Sequence, residues 1–204
     1  MKLSALIAGS LFVAAVSAPA VAQQSIFTAE LLGSNERPDP NNSPGTGTAT
    51  VTVDLDQSTM RVQETFSGLL APTTVSHIHC CAGPDGSAPP ATTVPSFPGF
   101  PVGVTAGTYD QTFNMLDASS YNPAFISANG GTAASAFDAF VDGLNNGTAY
   151  ANIHTEMFQA GEIRGTLVPE PETYAMLLAG LAMVSMMSRR RRLLLREDSG
   201  IRIS

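Results

Sequence analysis

Between Gly47 and Leu55 the chain alternates Thr48, Thr50 and Thr52 with Ala49, Val51, Val53 and Leu55. A period of two sends successive side chains to opposite faces, so this stretch predicts a strand with one wet and one buried side. Asp56-Gln57-Ser58 reads as a turn, and Met60, Val62 and Phe66 continue at even spacing, which predicts an antiparallel hairpin. Further strands are expected over Ser25–Leu31, Thr74–His79, Thr108–Met115, Ala149–His154 and Glu162–Val168. Short strands joined by Gly- and Pro-rich connections predict an all-β, antiparallel β-sandwich and not a βαβ sheet. One short helix is expected, where Ala136, Phe137, Phe140, Val141 and Leu144 recur at helical steps before the stop Asn145-Asn146-Gly147. Ala82–Gly107 is broken repeatedly by proline and glycine and reads as a long loop, with at most a short strand around Thr92–Phe97.

Both ends of the chain carry targeting patterns. Lys2, the apolar run Leu3–Val16 and the small residues Ala20-Val21-Ala22 predict a signal peptide over residues 1–22, removed by signal peptidase. At the other end, Pro169-Glu170-Pro171 precedes an apolar run over Thr173–Ser188 and then Arg189, Arg190, Arg191 and Arg192. The run predicts a C-terminal hydrophobic helix, and the arginines would stay on its cytoplasmic side. This order of three elements resembles the PEP-CTERM sorting signal of Gram-negative bacteria. The resemblance implies export through the inner membrane, transient anchoring by the helix, recognition by an exosortase-type membrane protease, and delivery to the cell surface or extracellular matrix. Residues 193–204 would form a cytoplasmic tail.

What remains, residues 23–168, suits one domain with its own core. It holds three arginines (Arg37, Arg61, Arg164) against thirteen carboxylates, a net charge near −10. Phosphate backbones need basic contacts, so this balance excludes nucleic acid as a partner.

The chemistry concentrates in Val75-Ser-His-Ile-His-Cys-Cys81, which contains two of the three histidines and both cysteines. On a strand, His77, His79 and Cys81 would share one face. His154 lies on a second strand with Tyr150 and Asn152 on its side. If those strands are neighbours, His77, His79, His154 and Cys81 form a ligand set suited to copper or zinc. Asp85, Glu156 and Glu162 are then candidates to fix the ring tautomers. The competing reading makes the histidines structural, with Glu162 and Arg164 as an ion pair. Adjacent Cα atoms across a trans peptide are about 3.8 Å apart, shorter than the usual disulfide span. Cys80 and Cys81 therefore have three fates in an oxidising compartment: a vicinal disulfide, an intermolecular bridge, or metal ligation. There is no Gly-x-Ser-x-Gly elbow, phosphate-binding glycine loop or His-Glu-x-x-His, and no catalytic residue is assigned.

Ala29-Glu-Leu-Leu-Gly-Ser-Asn-Glu-Arg-Pro38, Gly45-Thr-Gly-Thr-Ala49, Phe66-Ser-Gly-Leu69, His77-Ile-His79, Tyr150-Ala-Asn-Ile-His-Thr155 and Gly161-Glu-Ile-Arg-Gly165 together resemble the CHRD domain. The resemblance spans about Ser25–Val168 and implies an immunoglobulin-like or superoxide-dismutase-like sandwich without an agreed activity. The expectation is an exported structural or adhesive domain with no cofactor, whose partners include exopolysaccharide or other surface components. The alternative is a copper- or zinc-binding redox or metal-handling module.

Overall fold

The computed structural model describes residues 24–83, 85–170 and 178–188 of the 204-residue chain. The expected signal peptide, Pro171, the arginines 189–192 and the tail 193–204 lie outside them. Among the described residues eight antiparallel strands form one sheet: β1 (Gln24–Leu32), β2 (Thr46–Asp54), β3 (Thr59–Ser67), β4 (Thr73–His79), β5 (Gly107–Asn114), β6 (Tyr150–Thr155), β7 (Ile163–Thr166) and β8 (Val168–Pro169). Their order is β4-β6-β7-β1-β2-β3-β5, with β8 paired to β1. The predicted hairpin is β2–β3, in register from Thr46↔Ser67 to Asp54↔Thr59, with Ala49, Val51 and Val53 buried.

In a flat sheet β4 would lie five strand spacings, about 24 Å, from β3. Instead Ser76 Oγ on β4 donates to both carboxyl oxygens of Glu64 on β3, at 3.1 and 2.9 Å. The sheet is therefore curled over on itself, and the expected sandwich is built from a single continuous sheet. One core fills the fold, joining Ile78 and Ile153 from one half to Val51, Val62 and Phe27 from the other.

The proline-rich segment after β4 is ordered and seals the open edge of that strand. Phe97 N donates to Ser76 O, Ile78 N to Thr92 Oγ1, and Thr73 N to Val104 O. Satisfied in this way, the edge offers no free ladder to another chain. Phe97 and Phe100 turn inward and stack with Tyr109 and Phe66. The short strand expected over 92–97 is reduced to an isolated bridge, Thr92↔Tyr121, because prolines remove the donors that a ladder needs.

Two domain helices form where one was expected. α2 (Ala133–Asn145) matches the predicted stretch, starts with a Thr132–Ser135 capping box and buries Ala136, Phe137, Phe140 and Leu144. α1 (Pro123–Ala128) is capped by Asn122 and opens on proline. A further helix, α3 (178–188), exposes Leu178, Leu181, Met183, Val184, Met186 and Met187. Among the described residues no helix is long and apolar enough to cross a membrane.

Glu64 is a buried carboxyl inside the sandwich. Burial pushes its carboxyl from 4.5 up to about 7, against the opposing pull of the Ser76 hydrogen bonds. The folded state thus holds this proton better than the unfolded chain. Its contribution to stability is full below pH 4.5 and is lost as pH rises toward 7. Glu64→Gln removes the ionisation, so its stability relative to the native protein should improve by on the order of 2–3 kcal/mol between pH 4 and pH 8. Denaturant melts at both pH values test this, and a pH-independent difference would show that Glu64 is not buried as described.

Candidate metal centre

All six residues of β6 are buried, because both of its faces are covered. Ala151 and Ile153 face the core. The opposite face carries Tyr150, Asn152 and His154, and the pairing with β4 sets His79 beside Tyr150, His77 beside Asn152 and Val75 beside His154. On the other side Asn152 pairs with Arg164 of β7. Loops around Glu36, Ser87–Pro90 and Glu156–Gly161 close over this polar layer through hydrogen bonds to Asn152, Tyr150 and His154.

The register brings the three histidines together. Ring centroids are 5.0 Å apart for His77–His154, 5.3 Å for His77–His79 and 5.8 Å for His79–His154. One ring nitrogen of each lies within 4.8 Å of one from each of the others. Metal–nitrogen bonds of about 2.0–2.1 Å require nitrogens roughly 3.3–3.6 Å apart, so the rings need to draw in by about 1 Å to share an ion.

Each ring is oriented by a backbone carbonyl. His77 Nε2 lies 2.7 Å from Pro95 O, His79 Nδ1 2.7 Å from Ala88 O, and His154 Nδ1 2.9 Å from Gln159 O. A carbonyl only accepts, so each of these nitrogens must carry the proton. The lone pairs are therefore on His77 Nδ1, His79 Nε2 and His154 Nε2, and all three atoms are buried without a hydrogen-bond partner. Burial, mainly, pushes His77 down to about 4 and His79 down to about 3, and it lowers His154 as well. All three rings are thus neutral at neutral pH, the state a metal ligand requires.

Aromatic stacking steadies the set. Tyr150 lies flat on His79, 4.8 Å between centroids and 7° between planes, and the Arg164 guanidinium sits 3.5 Å from the centre of the Tyr150 ring. Tyr150 Oη and His79 Nδ1 both donate to Ala88 O, and Arg164 donates to Gly86 O at 2.8 Å. Gly161 makes the lower turn possible: its φ is +129°, and a Cβ there would run into Asn152 and Glu36. Glu36 is itself buried, which raises its carboxyl to about 7 in spite of Arg164.

Several sequence expectations are corrected. Cys81 is not with the histidines, because β4 ends at His79 and the alternation ends with it. Its sulfur is bonded to Cys80, with the two Cα atoms 3.0 Å apart, and faces α2 3.9 Å from Ala139 O. None of the expected carboxylates orients a ring. Asp85 is exposed and pairs with Arg37 at 3.5 Å, and Glu156 is exposed. Glu162 instead accepts from Ser43 Oγ (2.6 Å), Leu70 N (2.6 Å) and Thr155 Oγ1 (2.7 Å), pinning two loops to β6. The expected Glu162–Arg164 ion pair is absent among the described residues, since Arg164 turns to Tyr150 and Gly86. The carbonyls of Pro95, Ala88 and Gln159, which hold the rings, leave no trace in residue type.

Glu162→Ala orphans three donors and should cost about 3 kcal/mol or more in a denaturant melt. In a double-mutant cycle with Arg164→Met the coupling should stay below about 0.5 kcal/mol, whereas an ion pair would raise it clearly above that.

Comparison with known families finds the CHRD domain matched over residues 27–167 and the PEP-CTERM protein-sorting motif over residues 167–192. No curated protein and no solved structure matches the chain.

Proposed function

The chain belongs to the CHRD family, and from that premise we propose that it is a non-enzymatic structural or adhesive domain of the cell surface or matrix, in which His77, His79 and His154 hold one copper or zinc ion. The sorting motif places it among exported proteins that are held briefly at the membrane and processed by an exosortase-type protease. The CHRD domain is not a known enzyme family.

One observation carries the metal reading. Three neutral imidazoles each spend their N–H on a carbonyl and leave a buried lone pair with no donor to meet it. Clustered lone pairs repel one another, and a cation relieves all three at once. Imidazole-only donors suit copper or zinc and not calcium or magnesium, whose preferred ligands are oxygen. Carbonyl partners on the outer ring nitrogens are the arrangement that fixes a ligating tautomer. Three ligands leave a fourth coordination position open, which is the observation favouring a redox or metal-handling role for the same centre. The acidic surface and the absence of a catalytic motif favour the structural role, with exopolysaccharide or another surface component as partner.

The exported protein is expected to carry close to one equivalent of copper or zinc by elemental analysis. Removing it with a chelator should lower the melting temperature by several degrees, since an ion that binds only the folded state adds about 2.7 kcal/mol at one hundred times its Kd. His77→Ala/His79→Ala should lose both the ion and the chelator effect. Metal-free protein with a melting curve indifferent to chelator and to added zinc would sink the metal reading. For the surface role, fractionation should recover the domain outside the cytoplasm and bound to the cells' exopolysaccharide. Cytoplasmic protein retaining Met1 and Ser204 would refute export, and domain that does not sediment with the polysaccharide would refute that partner.

A further inference from the structure

The Cys80–Cys81 disulfide has no part in the metal reading, yet it shares a wall with the centre. It opens into a cavity of about 430 Å³ lined by both cysteines, by Ser87, Ala88, Pro89 and Pro90, and by α1. Cys81 is exposed and Cys80 is buried. On the far side the disulfide rests on α2 at Gly143, where a Cβ would run into both sulfurs. The cavity wall is the same segment that orients the centre: Ala88 O takes the N–H of His79, and Cys80 N reaches Pro89 O at 3.4 Å.

We propose that this disulfide is a thiol-exchange site that controls the hold of the three-histidine centre on its ion, an inference that rests on the metal reading above. An alkyl thiolate entering the cavity attacks the exposed sulfur of Cys81. The sulfur–sulfur bond breaks, its electron pair passes to the Cys80 sulfur, and that sulfur takes up a proton. A second thiol then displaces the first from Cys81. Two thiols are oxidised to their disulfide, and Cys80 and Cys81 become thiols.

Packing converts that reaction into a movement. Bonded sulfurs sit about 2.0 Å apart, whereas two unbonded heavy atoms need roughly 3.5–4.0 Å. α2 leaves no space at Gly143, so the buried Cys80 sulfur, unlike the exposed Cys81, separates toward the cavity and its Ser87–Pro90 wall, to which Cys80 N is already bonded. That wall holds His79 through Ala88 O, and displacing it takes one imidazole out of line. Because coupling is reciprocal, the bound ion resists reduction by the same factor by which reduction weakens its binding.

The test uses the exported protein and zinc. Native protein is treated with 2-mercaptoethanol, freed of it by anaerobic gel filtration, and titrated for thiols, of which two per chain are expected. Zinc affinity is then read by competition with a chromogenic chelator for the oxidised and reduced forms. Reduction should weaken zinc at least tenfold. Gly143→Ala, which pushes the intact disulfide toward the same wall, should weaken it in the oxidised protein as well. Weakening of less than tenfold, or tighter binding after reduction, overturns the coupling and leaves the metal centre standing. Failure of the thiol to reduce the native protein overturns the exchange site. Oxidised protein that binds no zinc overturns the metal reading and this inference together.

Discussion

β6 has no solvent-facing side: Ala151 and Ile153 pack into the core while Tyr150, Asn152 and His154 lie under loops. Polar side chains in that position are costly unless their donors find acceptors, and the loops supply these as backbone carbonyls. Ala88 serves His79 and Tyr150, Gln159 serves His154, and Pro95 serves His77. The donors are satisfied, and the lone pairs of the three rings are not. The cluster of free lone pairs is therefore what remains when the loops covering a histidine-bearing sheet face meet each ring with a carbonyl acceptor.

Much of the sandwich could be read from residue order. The alternation through Ala49, Val51 and Val53 and through Met60 and Val62 gives strands and their inward faces directly. Glu64 occupies the next inward position of that second series, so its burial was implied by the pattern although its residue type argues against it. α1 is not legible in the sequence because six residues are too few to display a period, leaving only Asn122 and Pro123 as signs of a helix start. For the centre, alternation placed His77 and His79 on one face, but bringing in His154 depends on β4 pairing with β6. That pairing crosses seventy residues of sequence and is set by how the sheet curls, which no local pattern encodes. Cys81 shares that face only if the alternation continues, and the strand stops at His79.

The Gly161-Glu-Ile-Arg-Gly165 segment shows how one short stretch can serve both sides of a sheet. Glu162 ties Ser43, Leu70 and Thr155 together with three hydrogen bonds, while Arg164 reaches over the opposite layer to Tyr150 and Gly86. Two opposite charges two residues apart invite reading as a pair. The fold instead sends one to neutral donors and the other to an aromatic ring and a carbonyl, and each fastens a different set of loops.

Val168 and Pro169 pair with β1, and Glu170 N bonds Ile26 O, so the first residues of the sorting motif are also the last rung of the domain. Leu178, in α3, is only eight residues beyond Glu170. Covalent geometry limits that span to roughly 26–29 Å, about the thickness of a bilayer's hydrocarbon core. While the chain is held at the membrane, a link of that length keeps the domain within about one bilayer thickness of α3. Once an exosortase-type protease has processed the motif, that limit on the domain's reach no longer holds.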